Sequence, residues 1–178
     1  MKKIFLASFL FLLLLVQSCS TQNGMDPKSV EEILSTHQFT FMATRANPTN
    51  NDVMNVINSL PNSSPSRMLN LDYGYDVVIK EKEITVTLPY FGRMYSPSYD
   101  SSKNSYRFTS KDFSISKKQN KKGNWVYTIN PKDAESVKTL YLEVYKNGNA
   151  YLSIDSNDRQ PISYDGYIMK NETKNKID

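Results

Sequence analysis

From residue 39 onward the chain alternates apolar and polar positions. Phe39, Phe41 and Ala43 are interleaved with Thr40, Met42 and Thr44, the period of two that marks a half-buried strand. The same period recurs in Leu69, Leu71 and Tyr73, in Val77 and Ile79, and in Ile84, Val86, Leu88 and Tyr90 beyond a tight turn at Glu81 and Lys82. Further strands are expected over residues 106–109, 113–117, 124–130, 139–145, 150–155 and 161–168. Two turns are legible: Asn147 and Gly148 tolerate the positive φ of a short hairpin, and Lys121, Lys122 and Gly123 close another before Trp125.

Two stretches break this period. Asp26 and Pro27, with Ser29 and Glu32 behind them, read as a helix start, and Val30, Ile33, Leu34 and His37 share one face. A helix is expected over residues 27–37. Residues 47–66 are rich in Asn, Ser and Pro, with one or two helical turns around Val53, Val56, Ile57 and Leu60 before Pro61. Consecutive strands joined by short turns pair antiparallel, so the chain is expected to be mainly β, an up-and-down meander of about eight or nine strands. A sheet that wide curls into a curved sheet, open barrel or sandwich, with the N-terminal helix packed on it.

Ahead of the helix, Lys2 and Lys3 precede a run from Ile4 to Val16 that is apolar except for Ser8, then Gln17, Ser18 and Cys19. That is the layout of a secretory signal, and the run is too short to span a bilayer, which takes about 20 apolar residues. Val16 to Cys19 resembles a lipobox. The expected organisation is a signal peptide over 1–18, a lipidated tether over 19–25 starting at Cys19, a single β-rich domain over 26–170 and a polar tail over 171–178. The protein is then held on an envelope membrane, the outer membrane foremost, facing the periplasm or the exterior. Cys19 is the only cysteine, so the domain is stabilised by packing without a disulfide. Losing Lys2 and Lys3 from 22 Lys and Arg leaves 20 against 18 Asp and Glu, too even for a nucleic-acid partner.

Two strings stand out: Leu88, Pro89, Tyr90, Phe91, Gly92, Arg93, and the stretch from Asn157 through Asp158, Arg159, Gln160, Pro161 and Tyr164 to Gly166. With the Asn147–Gly148 hairpin and the lipoprotein signal, they resemble the bacterial lipoproteins grouped as domain of unknown function 4251. The resemblance spans roughly residues 39–168 and implies no activity. One reading of the strings is structural, corners that set sheet curvature, with Arg93 over a tyrosine face. The other is a binding surface made of Tyr90, Arg93, Arg159 and Tyr164.

Residue types for catalysis are scarce. His37 is the single histidine, which leaves no Ser–His–Asp set, no free thiol and no nitrogen or sulfur metal site. Asp72, Asp76, Asp155, Asp158 and Asp165 are acids without an evident pairing, and Asp155, Asn157 and Arg159 begin like a calcium loop but lack its third oxygen ligand and the following Gly. Lys117, Lys118, Lys121 and Lys122 crowd one hairpin, where lipid headgroups or another anionic polymer would fit. The expectation is a non-enzymatic binding or interaction domain without cofactor or metal, meeting an envelope protein, glycan or lipid. Alternatives are a carrier of an apolar envelope ligand in a barrel-like cavity and, further off, a carboxylate-dependent glycan hydrolase.

Overall fold

The computed structural model describes residues 24–61, 64–95 and 104–172. The expected signal peptide, Cys19 and most of the tether lie outside these residues, as does the end of the tail. Three helices, α1 (Pro27–Ser35), α2 (Asn51–Ser59) and α3 (Pro65–Leu69), accompany nine strands: β1 (Phe39–Pro48), β2 (Asp76–Ile79), β3 (Ile84–Pro89), β4 (Ser105–Ser110), β5 (Phe113–Gln119), β6 (Trp125–Pro131), β7 (Val137–Val144), β8 (Asn149–Ser156) and β9 (Ile162–Met169).

All nine strands belong to one antiparallel, nearly closed, barrel-like sheet in the order β4-β3-β2-β1-β9-β8-β7-β6-β5. The mainly β meander is therefore borne out. Direction alternates along that order, so the edge strands β4 and β5 run the same way. Two residues cannot set parallel strands side by side, because that takes a crossover of about a dozen. Instead β4 and β5 form one bent path that leaves β3 and joins β6, and it carries the chain from one edge of the sheet to the other.

Strand burial follows the period of two in β3 and β8, whose inward residues Ile84, Val86, Leu88, Ala150, Leu152 and Ile154 are all buried. The barrel is filled rather than hollow. Phe39, Phe41, Leu88, Tyr106, Tyr127, Ile129, Leu140 and Tyr164 are each essentially inaccessible, and such side chains contribute about 1.5–3 kcal/mol apiece by burial. Gly166 belongs to the β1–β9 seam. A Cβ there would lie 2.1 Å from the Met42 carbonyl oxygen and 2.8 Å from the Phe41 ring, so only glycine fits.

Helix α1 starts where expected. Asp26 caps it, accepting from the Lys28 and Ser29 amides and the Ser29 hydroxyl, and these bonds hold its carboxyl below the usual range. Val30, Ile33 and Leu34 are buried. The helix ends earlier than expected, at Ser35, because His37 adopts φ 55°, the left-handed conformation that stops a helix. Glu32 pairs with Lys170 rather than with the cap.

Three expectations are corrected. Leu69, Leu71 and Tyr73 do not form a strand: Pro65 opens the short helix α3, which ends at Leu69, and Tyr73 is exposed. β1 is not half-buried at its start, since Thr40 and Met42 are buried along with Phe39 and Phe41. The chain beyond β9 is what reaches Thr40, whose hydroxyl donates to Asn171 Oδ1 while Asn171 Nδ2 donates to the Ile79 carbonyl. Asn171 thus belongs to the packed domain rather than to a frayed tail.

Candidate functional site

A groove lies at one end of the barrel between the edge strand β4 and the β6–β7 and β8–β9 loops. After β3, Pro89 cannot donate to a further ladder bond. The chain turns across the barrel mouth and meets the β8–β9 loop: Tyr95 N donates to the Asp158 carbonyl, and Gln160 N donates to that of Arg93. The Tyr90 hydroxyl donates toward both the Arg93 and Gln160 carbonyls. Its ring lies over Gly92, where a Cβ would stand 2.6 Å from the ring Cζ, so the Tyr-Phe-Gly spacing is a packing requirement.

Arg159 sits at the centre. It is 3% exposed, with its guanidinium 5.1 Å from the Tyr90 ring centre and 4.9 Å from that of Tyr106. Nε and Nη2 donate to the two oxygens of Asp158, both at 2.9 Å. Burial alone would lower the pKa of the guanidinium, but the Asp158 bonds outweigh it and leave the pKa above its ordinary value. Nη1 is buried and has no hydrogen-bond partner among the described residues. A charged donor left so costs about 1–3 kcal/mol or more.

Tyr106 is buried beside Tyr90, the two ring centres 5.7 Å apart and edge to face, and its hydroxyl shares a 2.8 Å bond with Ser156. The groove outside has a volume of about 640 Å³ and is lined by Tyr106, Arg107, Phe108, Glu135, Asp158 and Arg159 among others. Asp133, next to the lining residue Ala134, fixes the β4–β5 corner. That carboxylate accepts from the Ser110 hydroxyl and from the Lys111 and Asp112 amides at the β4–β5 corner, and these bonds lower its pKa to about 2.

Of the residues singled out from the sequence, Tyr90 and Arg159 meet directly. Tyr164 joins them only from inside: it is fully buried and donates to the Pro89 carbonyl at 2.7 Å, so it supports the mouth and is not on a surface. Arg93 is exposed and offers its backbone carbonyl, while the cation over the tyrosine faces is Arg159. Tyr106, at the start of the strand expected over 106–109, is the partner the sequence did not reveal. The remaining acids are dispersed: Asp155 pairs with Lys138, Asp165 accepts from Asn47, and Asp72 is exposed. Among the described residues no group of three His, Cys, Asp or Glu could hold a metal.

The lysine hairpin divides. Lys117 turns inward, 4.3 Å from the centre of Trp125, and donates to the Leu34 carbonyl at the end of α1. Its burial lowers its pKa. Lys118, Lys121 and Lys122 remain exposed. No helix among the described residues is long and apolar enough to cross a membrane.

No curated protein matches the chain. A solved DUF4251 family protein from Bacteroides eggerthii is similar to it at 14% identity and a TM-score of 0.49, over 81% of this chain and 87% of that one. The sequence model of the Domain of unknown function (DUF4251) matches residues 22–168, from ahead of α1 almost to the end of β9, and the chain therefore belongs to the DUF4251 family.

Proposed function

We propose that this protein is a non-enzymatic binding domain, held on an envelope membrane by acyl chains on Cys19, that takes an anionic group of its ligand into the groove at Arg159. The observation that carries the reading is that Nη1 has no partner among the described residues, in a guanidinium otherwise held by Asp158 against two tyrosine rings. A planar fork held on aromatic faces is preorganised, so little side-chain freedom is lost when an acceptor arrives. Because Nη1 is buried, the acceptor has to be slender, a carboxylate or phosphate at the end of a chain. The rings of Tyr106 and Phe108 supply apolar contact beside it.

The filled barrel favours this over an internal apolar carrier, since Phe39, Phe41, Tyr127 and Tyr164 occupy the volume such a ligand would need. The test is native mass spectrometry of the mature protein after exposure to a detergent-free envelope extract, beside the Arg159→Met variant. A reproducible added mass on the wild type that Arg159→Met loses while still folded supports the reading. Equal retention by both, or a bare wild type, overturns it.

A further inference from the structure

At the opposite end of the barrel from the groove, the described chain begins. Gly24 lies against Asn147, Met25 N donates to the Asn147 carbonyl at 2.9 Å, and the Met25 side chain packs on Gly148. The N-terminal segment is thus pinned to the β7–β8 hairpin tip. Six residue steps separate Met25 from Cys19, and a fully extended chain spans at most about 20 Å over that length. Whatever holds Cys19 holds this hairpin close by.

The β5–β6 hairpin tip is its neighbour. A Cβ on Gly123 would lie 3.2 Å from Lys146 Cε, and Gly123, Trp125, Tyr145 and Lys146 line one groove with α1. Lys121, Lys122 and Lys146 are exposed on the two tips, and none forms an ion pair among the described residues. The carboxylates at this end of the strands are Asp26, Glu31 and Glu32 at α1, Glu81 and Glu83 at the β2–β3 turn, Glu143 on β7 and Glu172 beyond β9, of which Glu32 pairs with Lys170, Glu83 with Lys80, and Glu172 accepts from Tyr73. Asp26 is occupied as the α1 cap, and Glu143 accepts from the Asn120 and Asn124 side chains.

From this placement we infer that the two hairpin tips form a membrane-facing surface, on which Lys121, Lys122 and Lys146 meet the anionic headgroups of the bilayer that anchors Cys19. The inference deepens the proposal above and rests on its acylation of Cys19. The short tether keeps the tips within reach of the surface, where headgroup attraction acts over a Debye length of about 8 Å. Each lysine there strengthens association about fivefold, so three together bias the orientation about a hundredfold. The domain then stands on this end, and the Arg159 groove opens away from the membrane.

Trp125, the chain's only tryptophan, lies beside these tips and reports on the orientation directly. The mature protein, with acylation checked by its mass, is placed in vesicles of phosphatidylcholine, with or without phosphatidylglycerol, that carry a headgroup spin label. Trp125 fluorescence should be quenched more in the anionic vesicles, and both high salt and the triple variant Lys121→Gln, Lys122→Gln, Lys146→Gln should relieve it. Lys132→Gln with Lys138→Gln, at the groove end, should not. Equal quenching in both vesicle types with Cys19 acylated, or equal relief by the groove-end pair, overturns the orientation alone. An unacylated mature protein that does not join vesicles overturns the anchoring reading and this inference with it.

Discussion

At the tether end of the barrel the Lys117 ammonium lies 4.3 Å from the Trp125 ring centre and 5.6 Å from that of Tyr127. At the groove end the Arg159 guanidinium lies 5.1 Å and 4.9 Å from Tyr90 and Tyr106. The two clamps share a motif and differ in what completes them. Lys117 donates to the Leu34 carbonyl, among the last helical carbonyls that α1 leaves without a partner, and so latches the helix to the sheet. Arg159 is satisfied on one side by Asp158 and keeps Nη1 unpartnered among the described residues beside an open groove. A cation on aromatic rings is therefore not in itself a binding element. What separates the two is whether the fold supplies every acceptor the cation needs.

The sharpest way to break this comparison is to remove each cation. Arg159→Ala strips Asp158 of its partner and leaves two tyrosine faces uncovered. Breaking a buried pair costs about 3–5 kcal/mol, and because Asp158 is 31% exposed the expected loss is nearer 3 kcal/mol. Lys117→Met keeps the aliphatic stem on Trp125 and forfeits one hydrogen bond with part of a cation–π contact, which together amount to about 1 kcal/mol. Urea unfolding of both variants measures the difference. Equal losses would mean that Arg159 is a latch like Lys117.

The two ends were not equally legible in the sequence. Hairpins with Asn147–Gly148 and Lys121–Gly123 carry their turn chemistry in adjacent residues, and the structure shows Gly123 and Gly148 at φ +79° and +81°. The groove depends on Tyr90 after β3 and Tyr106 on β4 meeting the end of β8 and the β8–β9 loop, 50 or more positions further along the chain. Tyr90 and Arg159 were noticeable because Gly, Pro and charge surround them. Tyr106 reads as an ordinary inward strand residue, and its role follows only from the β4–β5 path that switches sheet edges. The lost strand at Leu69 has a similar cause: a period of two over three residues also fits a helix end followed by a loop, and Pro65 decides between them.

A smaller contrast concerns two buried tyrosines. Tyr164 donates to the Pro89 carbonyl, whereas the Tyr127 hydroxyl is buried beside Phe39 without a partner among the described residues. Burial raises the pKa of both, so both stay neutral across the physiological range. Tyr164→Phe should cost about 1 kcal/mol in thermal or chemical unfolding, while Tyr127→Phe should be neutral or stabilising because it removes an unsatisfied group. Loss of stability in Tyr127→Phe equal to that in Tyr164→Phe would show that its hydroxyl does find an acceptor.

The smallest expected effect separates the ends by pH. Each is fixed by one exposed carboxylate whose pKa lies below its ordinary 3.8: Asp26 through the Ser29 hydroxyl and the Lys28 and Ser29 amides, and Asp133, at about 2, through the Ser110 hydroxyl and the β4–β5 corner amides. A depressed carboxylate contributes stability that is complete above its unfolded pKa and is lost as pH falls toward the folded one. As pH falls below about 4 both ends should therefore loosen, α1 at one and the β4–β5 corner at the other. Asn keeps an acceptor oxygen but does not titrate in this range, so Asp133→Asn should abolish the acid dependence of hydrogen exchange around residues 110–113 and leave that of α1 intact. Asp26→Asn should do the reverse. If either substitution flattens both regions at once, the two ends unfold as a single unit, and the groove cannot loosen while the tether end stays folded.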